Sequence, residues 1–265
     1  MMTVELRIFT DPACEASWAI EPSLRRLQWE FGEALSVAFV MGGLARTIEP
    51  PERAGRVAAW LEAAASSQMP CDPRLWLQNP ISSTYPACQA LIAAREQGGE
   101  AAGRYLRRLR EGLLCERKRL DHAEALVAEA GAAGLDVDRF EIDLRSHAIV
   151  EAFGADLEAT RQEGESLPLP TLAFAGEGGG IHELRGAQPY DAYREAALAA
   201  GAEPAGEPPL EPPAAIERFG RCATREIEVL TGRPRPVVEA ELWGLARDWR
   251  LKPVPVLTGT LWELP

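Results

Sequence analysis

Thr3-Val4-Glu5-Leu6-Arg7-Ile8-Phe9-Thr10-Asp11-Pro12-Ala13-Cys14-Glu15-Ala16-Ser17-Trp18-Ala19-Ile20-Glu21-Pro22 reads as a strand, a sharp turn and the start of a helix. Val4, Leu6, Ile8 and Phe9 form a short apolar run with β-branched and aromatic members, the composition of a buried strand. Asp11-Pro12 breaks the run. Trp18, Ile20 and Leu24 then recur at helical spacing, which puts Cys14 on the first turn of a helix. A thiol there meets unpaired amide N–H groups and the positive end of the helix dipole, and both favour the thiolate. The position three residues on, where a dithiol enzyme carries its second cysteine, holds Ser17.

Outward from this stretch, Leu35 to Val40 alternates as a second strand, so the first forty residues form a strand–helix–strand unit with parallel strands. From Pro50 to about Gly164 the chain is mostly helical and rich in alanine. Ala102, Tyr105, Leu106, Leu109 and Leu113 make an apolar stripe at helical spacing. Arg104, Arg107, Arg108 and Arg110 fall mainly off that stripe and read as a solvated face. Asp138 is placed to cap a helix to about Ser146, and a further helix is expected to reach Glu163. Thr171 to Phe174 reads as a strand opening on Pro170. Gly176 to Gly180 turns it into a returning strand, Ile181 to Leu184, and Gln188 to Ala200 closes as a helix.

Residues 201–213 are a linker dense in proline and glutamate. Beyond them a small unit, 214–265, shows three helices and a terminal hairpin around Thr258-Gly259. Thr224 is placed to cap its second helix, and Cys222 to begin that helix. This order suggests a winged-helix-like arrangement, whose usual use is DNA binding. Eight Arg or Lys stand against seven Asp or Glu in residues 214–265, however, which lacks the basic footprint of a DNA reader and favours packing or protein interaction.

A formal charge of −12 over 265 residues argues against a general nucleic-acid or anionic-membrane binder. No apolar run is long enough to span a bilayer. Met1-Met2-Thr3 leads directly into the first strand and leaves no room for a signal peptide, so a cytoplasmic, reducing setting is expected. The five cysteines, Cys14, Cys71, Cys88, Cys115 and Cys222, are odd in number and scattered, unlike a secreted disulfide framework. No Cys or His set has metal-ligand spacing, and no metal or cofactor is expected.

The segment from Asp11 to Pro22 resembles the active-site segment of DsbA-family thioredoxin-fold proteins. It is most similar to the cytoplasmic branch that includes the SpxH adaptors of the ClpXP protease, where it reads Asp-Pro-x-Cys-x-x-Cys-Trp-Ala-Leu-Glu-Pro. The departure is Ser17, which makes the site Cys-x-x-Ser. The resemblance covers about residues 3–200. It implies an α/β thioredoxin-like domain over residues 1–200 with an all-helical insertion at about 50–164. Leu169-Pro170-Thr171 resembles the Val-Pro-Thr loop of these proteins, which implies a cis bond before Pro170 and a Leu169 backbone turned toward the thiol. Cys14 and Ser17 are then the catalytic candidates, and Trp18, Leu169, Pro170 and Thr171 the substrate-binding ones.

Three functions fit this reading. The first is a monothiol thiol–disulfide oxidoreductase or isomerase, forming a mixed disulfide at Cys14 with protein or small-molecule thiols. Glutathione is then a candidate co-substrate, and Ser17 donates a hydrogen bond to the thiolate. That function expects an exposed sulfur and a lowered Cys14 pKa. The second is a non-catalytic, protein-binding adaptor resembling SpxH, which expects a covered thiol and exposed apolar surface. The third is a glutathione-dependent transferase or isomerase of the kappa or hydroxychromene-carboxylate isomerase type, which expects a deep pocket beside Cys14.

Overall fold

The structure, a computed structural model, describes residues 3–162 and 165–265. Its first half begins with β1 (Val4–Thr10), α1 (Glu15–Ala19), α2 (Glu21–Phe31) and β2 (Leu35–Met41). The helical block follows as α3 (Arg53–Ser67), α4 (Leu75–Gln78), α5 (Tyr85–Arg95) and α6 (Gly99–Arg110). A π-turn at Glu111–Cys115 leads into α7 (Ala123–Ala132), α8 (Val137–Leu144) and α9 (His147–Ala159). The chain returns through the short β3 (Arg161–Gln162) and β4 (Glu165–Ser166), then β5 (Thr171–Ala175), β6 (Ile181–Arg185) and α10 (Tyr190–Ala199). The C-terminal elements are α11 (Pro212–Phe219), β7 (Cys222–Ala223), α12 (Thr224–Thr231), α13 (Arg235–Arg247), β8 (Lys252–Val256) and β9 (Gly259–Glu263).

β1 is central in a four-stranded sheet ordered β2-β1-β5-β6. It runs parallel to β2 and antiparallel to β5, with Leu6 opposite Phe174 and Phe9 opposite Thr171. The two halves of the fold therefore share one sheet, as the sequence led us to expect. Being central, β1 buries both faces. Val4, Leu6 and Ile8 join Leu24, Leu27 and Phe31 of α2 and Tyr193 of α10, whereas Phe9 packs with Val40, Leu167 and Ala173. The helical block forms its own larger core around Trp60, Trp76, Leu91, Tyr105, Leu106 and Phe140.

Several local expectations shift. Asp136, not Asp138, caps α8 through its side chain, accepting from Arg139 N at 3.1 Å. α9 ends at Ala159, short of the expected Glu163, a residue outside those described. Ala223 holds the cap position of α12, and Cys222 lies on β7 before it. Thr224 instead accepts the indole N–H of Trp262 at 2.9 Å. The expected terminal hairpin forms as β8 and β9, and β7 pairs with β9 to make it a three-stranded sheet.

The C-terminal elements have their own apolar cluster, including Ile216, Ile227, Leu242 and Trp262. They attach to the rest both through apolar contacts, with Ala223 and Leu261 joining the core of the helical block, and through a buried ion network. Glu226 is fully buried and accepts from Arg107 of α6 at 2.7 and 3.0 Å, and it pairs with Arg25 of α2 at 3.0 Å. Arg25 also donates to Cys222 Sγ at 2.7 Å and to the Arg221 carbonyl at 3.1 Å. Arg108 reaches Glu111 at 2.9 Å and Glu129 at 2.7 Å, and Arg221 reaches Glu263 at 2.6 Å and Glu116 as well. Arg110, nearly fully buried, pairs with Glu21 and donates to Thr10 Oγ1 at 2.5 Å. The reading of these arginines as a solvated face thus holds for Arg104, which is exposed, and is corrected for Arg107, Arg108 and Arg110. α6 is covered on its apolar side by its own helical block, and its charged side meets the C-terminal elements at Arg107, and Glu21 with Thr10 at Arg110. An arginine there must be paired, because an unpaired buried charge costs several kcal/mol.

Glu116 shows how this seam responds to acid. Burial pushes its carboxyl up, but Lys118, Arg108 and Arg221 outweigh that and bring it from 4.5 down to about 2. In the unfolded chain it protonates at its ordinary value, so its contribution is complete above that value and is lost as pH falls toward 2. The urea midpoint of Glu116→Gln should therefore vary less between pH 5 and pH 3 than that of the wild type. Equal acid sensitivity in the two proteins would count against the seam.

Candidate functional site

Cys14 occupies the N-cap position of α1, with extended backbone, and its Sγ accepts from the Ser17 backbone N–H at 3.3 Å. Across the sheet end, the peptide bond between Leu169 and Pro170 is cis. The Leu169 carbonyl faces the sulfur at 3.8 Å, close enough to accept a weak S–H hydrogen bond. Leu169 reaches this place by lying against Gly42, where any Cβ would meet its Cδ1 at 2.8 Å. The side chain of Leu169 is partly exposed, whereas Pro170 and Thr171 are buried, and the Thr171 hydroxyl donates to the Pro168 carbonyl at 2.6 Å. The structure thus brings Cys14, Ser17, Leu169 and Pro170 together. Of the four residues expected to touch substrate, only Leu169 is accessible in this conformation.

The environment of the thiol departs from the exposed, acidified sulfur that an exchange enzyme calls for. Cys14 is 3% exposed. Burial pushes its thiol from 9.0 up to about 11; Ser17 pulls the other way without prevailing, and Glu15 and Asp11 add to the rise. Ser17 is completely buried; its hydroxyl lies near enough to the sulfur to favour the thiolate, but it makes no hydrogen bond of good geometry. The backbone N–H of Ser17 makes the well-formed hydrogen bond to the sulfur. Trp18 is also buried, contrary to a substrate-binding role. Its indole N–H donates to the Pro70 carbonyl at 2.8 Å, and the Arg107 guanidinium lies 4.4 Å from the centre of its ring.

Asp11 organises the turn, and the sequence showed it only as a strand breaker. One carboxylate oxygen accepts from Ala13 N at 2.8 Å. The other accepts from Leu44 N at 2.7 Å, from the Thr84 hydroxyl at 2.7 Å and from the Cys88 thiol at 3.3 Å. The carboxylate therefore joins the Cys14 turn to the loop after β2 and to the start of α5. A buried acid immediately before a Pro-x-Cys turn is a local signal, but Thr84 and Leu44 lie far off in sequence.

Two clefts lie elsewhere. One, of about 430 Å³, separates Asp72, Arg74 and Arg117 from Val254 to Leu257 of the terminal hairpin. The other, of about 270 Å³, lies between Arg26 and Glu30 of α2, the linker and Val229 and Leu230 of α12. Neither includes Cys14, so neither serves the deep pocket of the transferase reading. No group of three or more potential metal ligands occurs among the described residues. No helix among them is long and apolar enough to cross a membrane.

A helix-capping cysteine facing a cis-proline loop, on a sheet that carries a helical insertion, defines a DsbA-like thioredoxin-fold protein. The chain belongs to the thioredoxin family, whose profile matches residues 8–195. It is 30% identical to the ClpXP adapter protein SpxH of Halalkalibacterium halodurans, in an alignment spanning 98% of this chain and 88% of that protein. It is similar in structure to a putative protein disulfide isomerase from Nitrosomonas europaea, with a TM-score of 0.66 and 20% identity over 74% of this chain and 96% of that one. It is also similar to the cytosolic disulfide reductase DsbM from Pseudomonas aeruginosa, with a TM-score of 0.61 and 20% identity over 74% and 98% of the two chains. At that identity the two structural likenesses speak for the fold. The SpxH alignment is long enough to take in the linker and the C-terminal elements as well.

Two outcomes follow from the geometry. At pH 8 a thiol with a pKa of about 11 is ionised in only about one molecule in a thousand, against roughly a tenth for a cysteine at the unperturbed 9.0. Alkylation of Cys14 should therefore keep accelerating beyond about pH 10; a plateau near about pH 10 would show an unperturbed thiol, and one near about pH 8 an acidified thiol. Asp11→Ala strips the acceptor from two backbone N–H groups and a buried hydroxyl, and should cost about 3 kcal/mol or more of folding stability in denaturant titration. A loss under about 1 kcal/mol would mean that water replaces the carboxylate.

Proposed function

We propose that this chain is a protein-binding adaptor built on a DsbA-like thioredoxin fold, one that delivers a partner protein to a ClpXP-type protease. The observation that carries this reading is the state of Cys14: a covered, neutral thiol without a resolving cysteine, in an otherwise intact site. Thiol–disulfide exchange needs the thiolate at the surface, and burial works against both requirements. The likeness to SpxH over nearly the whole chain supports the same conclusion. An adaptor also needs apolar surface left uncovered, and Val237, Trp243 and Trp249 are each more than half exposed. Nucleic acid is a poor partner for the C-terminal elements, because Arg221, Arg225, Arg233 and Arg235 are each paired with a glutamate. This reading places the chain in the cytoplasm.

One observation favours a second reading. The Leu169 carbonyl and the Ser17 N–H still frame the Cys14 sulfur as an exchange site would. Once uncovered, a Cys14 thiolate would attack a substrate disulfide, form a mixed disulfide and release the other sulfur as a thiolate. An external thiol such as glutathione would then attack the mixed disulfide, take over the substrate sulfur and return Cys14 to the thiol.

The Cys14→Ala variant separates the two. If the chain is an adaptor, adding it to ClpXP with ATP shortens the lifetime of a specific client protein, and Cys14→Ala does so equally well. If it is an exchanger, the variant loses all activity in a glutathione mixed-disulfide assay. In that case Ser17→Cys raises turnover, because an intramolecular thiol replaces a diffusing one.

A further inference from the structure

We infer that the C-terminal elements act as a clamp that keeps Cys14 covered, and that they act through Trp18. The starting point is the length of α1, five residues, Glu15 to Ala19. A helix of that length is not stable by itself and takes its position from side-chain anchors. Trp18 is its one large buried side chain and lies one turn after Cys14, whose carbonyl accepts the Trp18 backbone N–H at 3.0 Å. Trp18 is held at two points. Arg107 stacks on its ring, and the Pro70 carbonyl accepts its indole N–H.

Each of these holders is bonded to the C-terminal elements, at different places, although Arg107 also pairs with Glu111 at 2.7 Å and Glu21 at 3.3 Å and the Pro70 carbonyl also accepts from the Cys115 thiol at 3.3 Å. Arg107 is oriented by two hydrogen bonds to Glu226 of α12, at 2.7 and 3.0 Å. The residue after Pro70, Cys71, is gripped by Thr258 in the turn between β8 and β9. The Thr258 hydroxyl accepts from Cys71 N at 2.7 Å and donates to the Cys71 carbonyl at 3.1 Å. The Thr258 N–H reaches the same carbonyl at 3.3 Å. Two routes that are separate in sequence, Glu226–Arg107 and Thr258–Cys71–Pro70, therefore converge on one indole. Release of the C-terminal elements removes one support from each anchor at once, and the remaining bonds to Glu111, Glu21 and Cys115 then hold α1 less firmly over the Cys14 sulfur. The inference goes beyond the adaptor reading, since it concerns the cover of the thiol and holds whether an adaptor or an exchanger uses it.

The test measures iodoacetamide alkylation of Cys14 in the folded full-length chain at pH 9, resolved by peptide mass spectrometry. Glu226→Gln removes the charge that orients Arg107. Thr258→Val removes the two hydroxyl bonds at Cys71 and leaves the ion network untouched. Glu239→Gln, at an exposed ion pair on α13, is the control. Buried Cys88 in α5 reports general unfolding within the same sample. We expect alkylation of Cys14 to be about tenfold faster in Glu226→Gln and severalfold faster in Thr258→Val. Glu239→Gln should be unchanged, and Cys88 should stay slow throughout. Cys14 rates within twofold of wild type in both clamp variants would overturn the inference. So would acceleration matched at Cys88, which would make the effect loss of fold and not release of a clamp.

Discussion

Glu226 is a fully buried carboxylate shared by arginines from two different elements, Arg25 on α2 and Arg107 on α6. Much of the architecture depends on that arrangement. Three charges taken out of water are tolerated only when their geometry is good and their remaining hydrogen bonds are made. Glu226 also accepts from Ala223 N at 2.6 Å, so it starts its own helix while it binds the other two elements. Such a network adds little net stability over apolar packing, but breaking it is costly, about 3–5 kcal/mol for loss of one partner. Its value here is in register. It admits one docking of the C-terminal elements on α2 and α6, and Arg107 is thereby set against Trp18.

The thiol is decided by a contest between two opposed effects at Cys14. The N-terminal position on α1 favours the thiolate by at most about 1 kcal/mol, and less for so short a helix. Burial raises the thiol from 9.0 to about 11, which corresponds to about 3 kcal/mol against the thiolate. Burial prevails, and the cysteine is neutral in the closed structure. The redox geometry survives around it: the cis bond before Pro170, the Leu169 carbonyl and the Ser17 amide. Within that frame the sulfur is held in a covered state. Glu21 shows the reverse balance nearby. Burial pushes its carboxyl up, yet Arg110, Arg107 and Arg25 together hold it below its ordinary value.

The sheet and the site pair were legible in the sequence because both are written locally. Val4 to Phe9 could only be a buried strand, Asp11-Pro12 had to break it, and Pro170-Thr171 had to open another. What stayed illegible was everything set by partners distant in the chain. Arg107 and Arg110 look like surface residues until Glu226 and Glu21 are placed beside them. The position of Cys14 at a helix start suggested an acidified thiol, since nothing local tells that Trp18 will be anchored at Pro70 and Leu169 laid over the sulfur. Asp11 was visible only as punctuation, although its carboxylate gathers Ala13, Leu44, Thr84 and Cys88. The strand β7 was missed because two residues, Cys222 and Ala223, carry no periodicity to read.

The central claim is that Cys14 is a covered, neutral thiol in the native protein. The most direct measurement is an NMR titration of the folded chain labelled with ¹³C at the cysteine β-carbon, with Cys14→Ala used to assign the resonance. Cys14 should show no thiolate through neutral pH and a midpoint at about 11. A midpoint below that of an ordinary cysteine would contradict it, and would mark Cys14 as the activated nucleophile of an exchange enzyme.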